Sequence, residues 1–247
     1  MKFVFDVDGT ICFNGQFIEP ELVNEIKRIE KQNEVIFASA RPIRDLLPVV
    51  RNFEYNFLIG GNGSIISREG EIEVIKAIPG VVYSKIKDLI RKYHLKYIID
   101  GAFDYASNVS ESSNIYQQLD PDNLANKVEM EAIEEPIKII LIDIPEELFI
   151  EIKRHIAKLG SNISILYHDG EHNIDITAKG INKFSTLKKI IGNEAYIAYG
   201  NDVNDYELLQ NAAQSFYVSD NVEKLSFDIT EVVKSNFKSL VMSLKKL

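Results

Sequence analysis

Both ends of this chain alternate short apolar runs with amphipathic helical segments, and that alternation restricts the fold more than any other feature. Lys2–Val7 is rich in Phe and Val, the pattern of a buried strand. Glu19-Pro20-Glu21 opens a helix with early acidic residues, and Leu22, Ile26 and Ile29 make its apolar stripe. Glu34–Ala38 reads as a second strand, Arg44–Phe53 as a second helix with Pro42 near its start, and Tyr55–Gly60 as a third strand. Gly60-Gly61-Asn62-Gly63 then breaks the pattern. The alternation resumes with helix Asn182–Ile191 closed by Gly192, strand Ala195–Tyr199, helix Asp205–Ala213, strand Ser215–Val218 and a helix over Lys234–Leu247. Strands alternating with helices predict a doubly wound, Rossmann-like α/β core with a parallel sheet.

The middle of the chain reads differently. Tyr83–Tyr93 is a helix, Lys96–Asp100 begins a strand, Ile137–Ile144 is a strand, and Pro145–Leu159 is a helix whose acidic start suits its dipole. Ile163–His168 and Asn173–Thr177 form a hairpin around Asp169-Gly170. This is an α+β insert within an α/β chain, and Gly101–Pro136 carries no assignable pattern. A chain of 247 residues suits two domains. The expected division is a core of residues 1–77 and 178–247, with residues 78–177 inserted.

The net charge of -9 and the lack of a basic run argue against a nucleic-acid partner. No apolar run approaches the length of a membrane span, and the acid at position 6 interrupts any export signal. Cys12 is the one cysteine, so no internal disulfide is possible and the cytoplasm is the expected compartment. An acidic protein that handled phosphates would need a metal ion and placed cations to neutralise them.

Several strands end in a polar residue just before a turn: Asp6 and Asp8 after the first, Ser39 after the second, Asn62 after the third, Asn201 and Asp202 after the fourth. The carboxyl ends of strands in an open parallel sheet line its ligand crevice, so these residues should converge. Asp6 and Asp8, two apart at a strand end, point to the same side. Asp8-Gly9-Thr10 alone could be an ordinary tight turn, but that leaves Asp6 unexplained inside an apolar run. Two unpaired carboxylates there call for a cation.

Phe5-Asp6-Val7-Asp8-Gly9-Thr10 resembles the D-x-D-G-T signature of the haloacid dehalogenase (HAD) superfamily, and Met1–Ile11 looks like the start of its Cof-type branch. Ala38-Ser39-Ala40-Arg41 resembles its second motif, Asn62-Gly63 the Asn-Gly after its third strand, and Lys179-Gly180-Ile181-Asn182-Lys183 its third motif. Gly200-Asn201-Asp202-Val203-Asn204-Asp205 resembles its G-D-x-x-N-D motif. The four motifs stand in order across both ends of the chain. In the middle, the resemblance is one of architecture, to a C2-type cap.

The resemblance implies a Mg²⁺-dependent phosphatase acting on small phosphorylated metabolites. Asp6 would be the nucleophile that becomes an aspartyl phosphate, and Asp8 the general acid and base. Ser39 and Lys183 would complete the catalytic set, and Gly9, Ser39, Ala40, Arg41, Lys183 and Asn204 would hold phosphate and substrate. Ser39 could equally be a turn cap, and Lys179 competes with Lys183, though the family pattern favours Lys183. The metal set would be Asp6, Asp8, Asn201, Asp202 and Asp205. The chain departs from the family at Asn201, where the motif has aspartate. Asp202 is therefore expected as a direct ligand and Asp205 as one acting through water or from behind. Both could instead be helix caps. A phosphomutase or a dedicated sugar-phosphate phosphatase is the alternative enzyme, and a non-catalytic phosphate sensor the alternative of another class. Cys12 is expected to be structural, and His168 and His172 to flank a turn.

Overall fold

The apolar run near the N-terminus becomes β1 (Lys2–Asp6), buried along nearly its whole length. Such a strand needs neighbours on both edges and helices on both faces. β2 (Glu34–Ala38) and β11 (Tyr196–Gly200) flank it in parallel. β3 (Phe57–Gly60) lies beyond β2, and β12 (Gln214–Val218) and β13 (Glu231–Val233) lie beyond β11, all parallel. β4 (Ile65–Arg68) turns back antiparallel to β3, which gives the order β13-β12-β11-β1-β2-β3-β4. The computed structural model describes residues 1–53, 57–110, 116, 119–221 and 225–247. The first two residues of the expected third strand lie outside them.

The helices of this sheet are α1 (Pro20–Glu30), α2 (Ile43–Val50), α5 (Lys183–Ile191), α6 (Tyr206–Gln210) and α7 (Phe237–Leu244). The stripe of α1, Leu22, Ile26 and Ile29, is buried as its spacing requires. Val4, Ile36, Ala38, Ile59, Leu187, Ala198 and Leu208 share one apolar cluster. Phe5 stacks on Tyr199 at 5.3 Å between centroids and lies 6.3 Å from Phe37. Each buried ring of this size stabilises the fold by roughly 1.5–3 kcal/mol. The register sets Asp6 beside Ala38 and Ala38 beside Ile59, so the carboxyl ends of β1, β2 and β3 are level.

The chain forms two compact units, Met1–Glu71 with Asn182–Leu247, and Ile72–Ile181. β5 (Glu71–Val74) leads out of the first. The second contains α3 (Gly80–Tyr93), β6 (Lys96–Asp100), β7 (Tyr105–Ser107), β8 (Lys138–Ile142), α4 (Glu146–Ala157), β9 (Ile163–His168) and β10 (Asn173–Ala178). Its sheet, β7-β6-β8-β10-β9, is antiparallel throughout. Ile86 and Ile90 of α3 and Ile152 and Ile156 of α4 pack on Ile99, Ile139, Leu141, Ile174 and Ile176. The α/β core with an α+β insert is as expected. Strands β4, β5, β7 and β13 are additions: each has three or four residues, too few for a period to show. α2 stops at Val50 and α6 spans five residues, both shorter than their patterns suggested. Among the described residues no helix is long and apolar enough to cross a membrane.

Candidate active site

The polar residues that end the strands meet at one edge of the first unit. Asp6 closes β1, and the chain then turns tightly. The N–H groups of Thr10, Ile11 and Cys12 all reach the carbonyl of Val7, and Gly9 N–H reaches that of Cys12. Gly9 has φ +78°, and a Cβ there would meet the outward atom of the Asn201 side-chain amide at 2.3 Å. Only glycine allows both the turn and the approach of Asn201. The thiol of Cys12 is buried, and burial together with the Asp8 charge raises its pKa, which disfavours the thiolate.

Asp6, Lys183 and Asp205 form a buried ionic triad. Lys183 starts α5, whose preceding Asn182 makes a reciprocal cap with Ser185. Its ammonium donates to Oδ1 of Asp6 at 2.5 Å and Oδ1 of Asp205 at 2.7 Å. The three side chains are 5%, 1% and 0% exposed, in the order Asp6, Lys183, Asp205. The other oxygen of Asp205 accepts from the N–H groups of Asn201 (3.0 Å) and Asp202 (3.2 Å). Asp205 therefore shapes the loop that carries Asn201. Gly200 makes room for it, since a Cβ there would lie 2.7 Å from the Asp205 Cβ. Burial, then the charge of Asp205, pushes Asp6 up to about 7, against the opposing pull of Lys183 and Thr10. Burial would lower the Lys183 ammonium, but Asp205 and Asp6 outweigh it and raise its pKa. One cation between two carboxylates leaves a buried negative charge, which a further cation would offset.

The place for that cation is defined by oxygens. One atom of the Asn201 amide lies 2.9 Å from Oδ2 of Asp6, 3.1 Å from Oγ1 of Thr10 and 3.1 Å from the main-chain oxygen of Asp8. Mg²⁺ takes oxygen ligands at about 2.0–2.1 Å in an octahedron, which puts adjacent ligand oxygens about 3 Å apart. The donor set and its spacing fit a hard divalent ion. The set is one carboxylate, one amide and one main-chain carbonyl. Among the described residues no group of three His, Cys, Asp or Glu could hold a metal. The carboxylates expected as ligands do not come together as one group among the described residues. Asp205 is engaged by Lys183 and two N–H groups. Asp202 is exposed, and its carboxylate accepts from the N–H of Val203 at 2.7 Å, a cap on the turn that follows.

Asp8 follows Asp6 by two residues and is partly exposed. Arg41 holds it by two bonds, Nε to Oδ2 at 2.8 Å and Nη2 to Oδ1 at 2.5 Å. Arg41 also donates to the carbonyl of Gly15 at 2.8 Å. Ser39 is fully buried after β2; its Oγ accepts from the Arg41 N–H at 3.1 Å and lies 3.5 Å from Oδ2 of Asp8. Sequence reasoning set Arg41 on phosphate, whereas in the structure its guanidinium holds Asp8.

Asn62 has φ 57° and donates its N–H to the Ser39 carbonyl. The side-chain oxygens of Asn62 and Asn204 are buried and without a partner among the described residues. Ala40 and Gly9 are partly exposed. Lys179 is exposed and lies in the second unit, and its carbonyl accepts from Lys76. His168 is 3.7 Å from Asp175, and His172 packs on Phe149, so these histidines flank the hairpin turn. Thr10 was not singled out from the sequence. Its hydroxyl donates to Oδ2 of Asp6 at 2.7 Å, and its place four residues after Asp6, in the same motif, was the available signal.

The chain matches the haloacid dehalogenase-like hydrolases over residues 3–242. Its fold is shared by solved structures of low identity. A haloacid dehalogenase-like hydrolase from Bacteroides thetaiotaomicron is 17% identical, with a TM-score of 0.84 over 99% of this chain and 98% of that one. A protein from Thermotoga maritima is 21% identical, with a TM-score of 0.82 over 100% of this chain and 97% of that one. A HAD subclass IIB sugar phosphatase is 19% identical, with a TM-score of 0.74 over 99% and 98%. No curated protein matches the chain. The match over nearly the whole length bears out the superfamily and the enzyme class expected from the motifs: the chain belongs to the haloacid dehalogenase-like hydrolase family.

Proposed function

We propose that the protein is a Mg²⁺-dependent phosphatase that hydrolyses small phosphorylated metabolites through an aspartyl phosphate on Asp6. The observation that carries this reading is the two-sided environment of the Asp6 carboxylate. Oδ2 faces Thr10 and the oxygen cluster that suits a cation, while Oδ1 meets Lys183. One oxygen is thus assigned to the metal and the other to phosphorus. Asp6, the Asn201 amide oxygen and the Asp8 carbonyl would hold Mg²⁺, whose charge offsets that of the phosphate dianion as a carboxylate approaches it.

Oδ1 of Asp6 attacks phosphorus as the bond to the leaving oxygen breaks. Asp8 gives its proton to that oxygen, so that an alcohol departs. Asp8, now a carboxylate, takes a proton from water as the water oxygen attacks phosphorus. The Asp6–phosphorus bond breaks, and inorganic phosphate leaves with Asp6 restored. Lys183, the Ser39 hydroxyl and the Asn204 amide hold the phosphoryl oxygens. The second unit contains Lys179 and Gly180 but none of the acid–base, nucleophilic or cation-holding residues, and we assign it the choice of leaving group as a cap. Sugar phosphates are the first class to test, because the fold is shared with a sugar phosphatase.

The test is phosphate release from p-nitrophenyl phosphate and a panel of sugar phosphates, with Mg²⁺ and with EDTA. Mg²⁺-dependent release is expected. Ligand binding without any release would instead favour a phosphate sensor, and isomerised product without release would favour a mutase.

A further inference from the structure

Asn201 brings no charge to a site that already has to hold a cation next to a buried nucleophile. We infer that its amide is a cation-responsive switch: Nδ2 faces Asp6 when no cation is bound, and the amide oxygen faces it when one is. The inference rests on the metal role proposed above and goes beyond it.

The inward amide atom has three oxygens within 3.1 Å: Oδ2 of Asp6, Oγ1 of Thr10 and the carbonyl of Asp8. With Asp6 ionised, its carboxylate and the carbonyl only accept. Thr10 has one hydroxyl proton, and Asp6 lies nearer to it, at 2.7 Å, than Asn201 does at 3.1 Å. An NH₂ group in the inward place therefore donates to acceptors that would otherwise face one another. An oxygen in that place meets their lone pairs, and only a shared cation makes the cluster favourable. A half-turn of the amide exchanges the two atoms without moving the backbone.

An aspartate at this position has no such choice. With no cation it would set a second carboxylate about 3 Å from Asp6, inside a region that already holds Asp205. Among the described residues no other acid replaces the missing charge, since Asp205 spends both oxygens on Lys183 and two N–H groups, and Asp202 is exposed on its own turn. The asparagine thus keeps the site assembled without a cation, and in exchange it holds the cation less tightly.

The experiment compares wild type, Asn201→Asp and Asn201→Ala by calorimetric titration with MgCl₂ and by thermal unfolding in EDTA and in excess Mg²⁺. Asn201→Asp is expected to bind Mg²⁺ roughly tenfold more tightly or better. It should unfold at a lower temperature than wild type in EDTA and gain more from Mg²⁺. Asn201→Ala should lose on both counts, with a lower midpoint in EDTA and weaker Mg²⁺ binding. In ¹⁵N-labelled wild type, the Asn201 side-chain NH₂ resonances should shift on addition of Mg²⁺. The inference is overturned if Asn201→Asp binds Mg²⁺ no better than wild type and keeps its midpoint in EDTA. It is also overturned if the Asn201 NH₂ signals ignore Mg²⁺. Should Asn201→Asp not fold in EDTA, the Asn201→Ala and NMR results decide. Mg²⁺ binding as predicted, with no phosphate ester hydrolysed, would reject the phosphatase reading and leave the switch standing. Hydrolysis that persists in EDTA, with no Mg²⁺ bound, would overturn the switch and the Mg²⁺ dependence together and leave only the hydrolysis of phosphate esters standing.

Discussion

Arg41 grips both carboxylate oxygens of Asp8, with Nε at 2.8 Å and Nη2 at 2.5 Å, and is itself tied to the carbonyl of Gly15. The planar guanidinium fork fixes the plane of the carboxylate as well as its position. A carboxylate that must take a proton from water gains from that orientation.

The pair makes Arg41 a positioning residue for Asp8, and leaving groups can show it. Arg41→Lys keeps the charge and loses the fork. Turnover of an alkyl phosphate, which needs a proton on its leaving oxygen, should fall by roughly ten- to a hundredfold. An activated aryl phosphate should fall much less, with KM for both nearly unchanged. If Arg41 instead held substrate phosphate, KM would rise alike for both esters.

Asp8→Asn should follow the same pattern more strongly, losing roughly a hundredfold or more on alkyl phosphates, because the amide has no proton to give. Steady-state rates on a matched aryl and alkyl pair check this. An equal loss on both would mean that the Asp8 side chain acts on the cation and not on the leaving group.

Lys183 separates two carboxylates in a region with almost no exposure. Lys183→Met removes the cation and leaves both acids facing each other. The expected loss of stability in EDTA at neutral pH is about 3–5 kcal/mol, measured by urea unfolding. A loss under about 1 kcal/mol would show that water or relaxation screens the pair.

The raised pKa of Asp6 has a sign that can be tested in EDTA. In the fold Asp6 holds its proton to about 7, against an ordinary value of 3.8. Between those values the folded chain binds more protons than the unfolded chain, so this group's contribution to stability falls as pH rises from about 4 to about 7 and is level above. Asp6→Asn lacks the titration. Wild type should therefore lose stability relative to Asp6→Asn across that window, and denaturation curves that stay parallel from about pH 4 to pH 8 would contradict it.

How legible this was in the sequence depended on the length and chemistry of each piece. β1, β2 and β11 were plain because buried strands are apolar throughout, and α1 because Leu22, Ile26 and Ile29 recur at helical spacing. β4 and β5 were hidden, since Ile65–Arg68 and Glu71–Val74 are four residues each around Glu69-Gly70 and half their positions are exposed. The site residues were found because polar groups at strand ends stand out against apolar runs. What each side chain touches was not legible. Arg41 and Asp8 are 33 positions apart, and nothing local tells a guanidinium that binds phosphate from one that holds a carboxylate. Asp202 and Asp205 looked alike on paper. The turn after Asp202 makes it a cap, while Asp205, three residues on, is fully buried against Lys183.

The central claim is that Asp6 forms a covalent bond to phosphorus, and rapid acid quench answers it most directly. Wild type and Asp6→Asn are mixed with an aryl phosphate and Mg²⁺, quenched within the first turnover, and mapped by peptide mass spectrometry. The account predicts an alkali-labile phosphoryl group on the peptide containing Asp6 in wild type. It predicts none in Asp6→Asn, whose turnover should fall by roughly a thousandfold or more. An Asp6→Asn enzyme that still hydrolyses the ester at near the wild-type rate would contradict it.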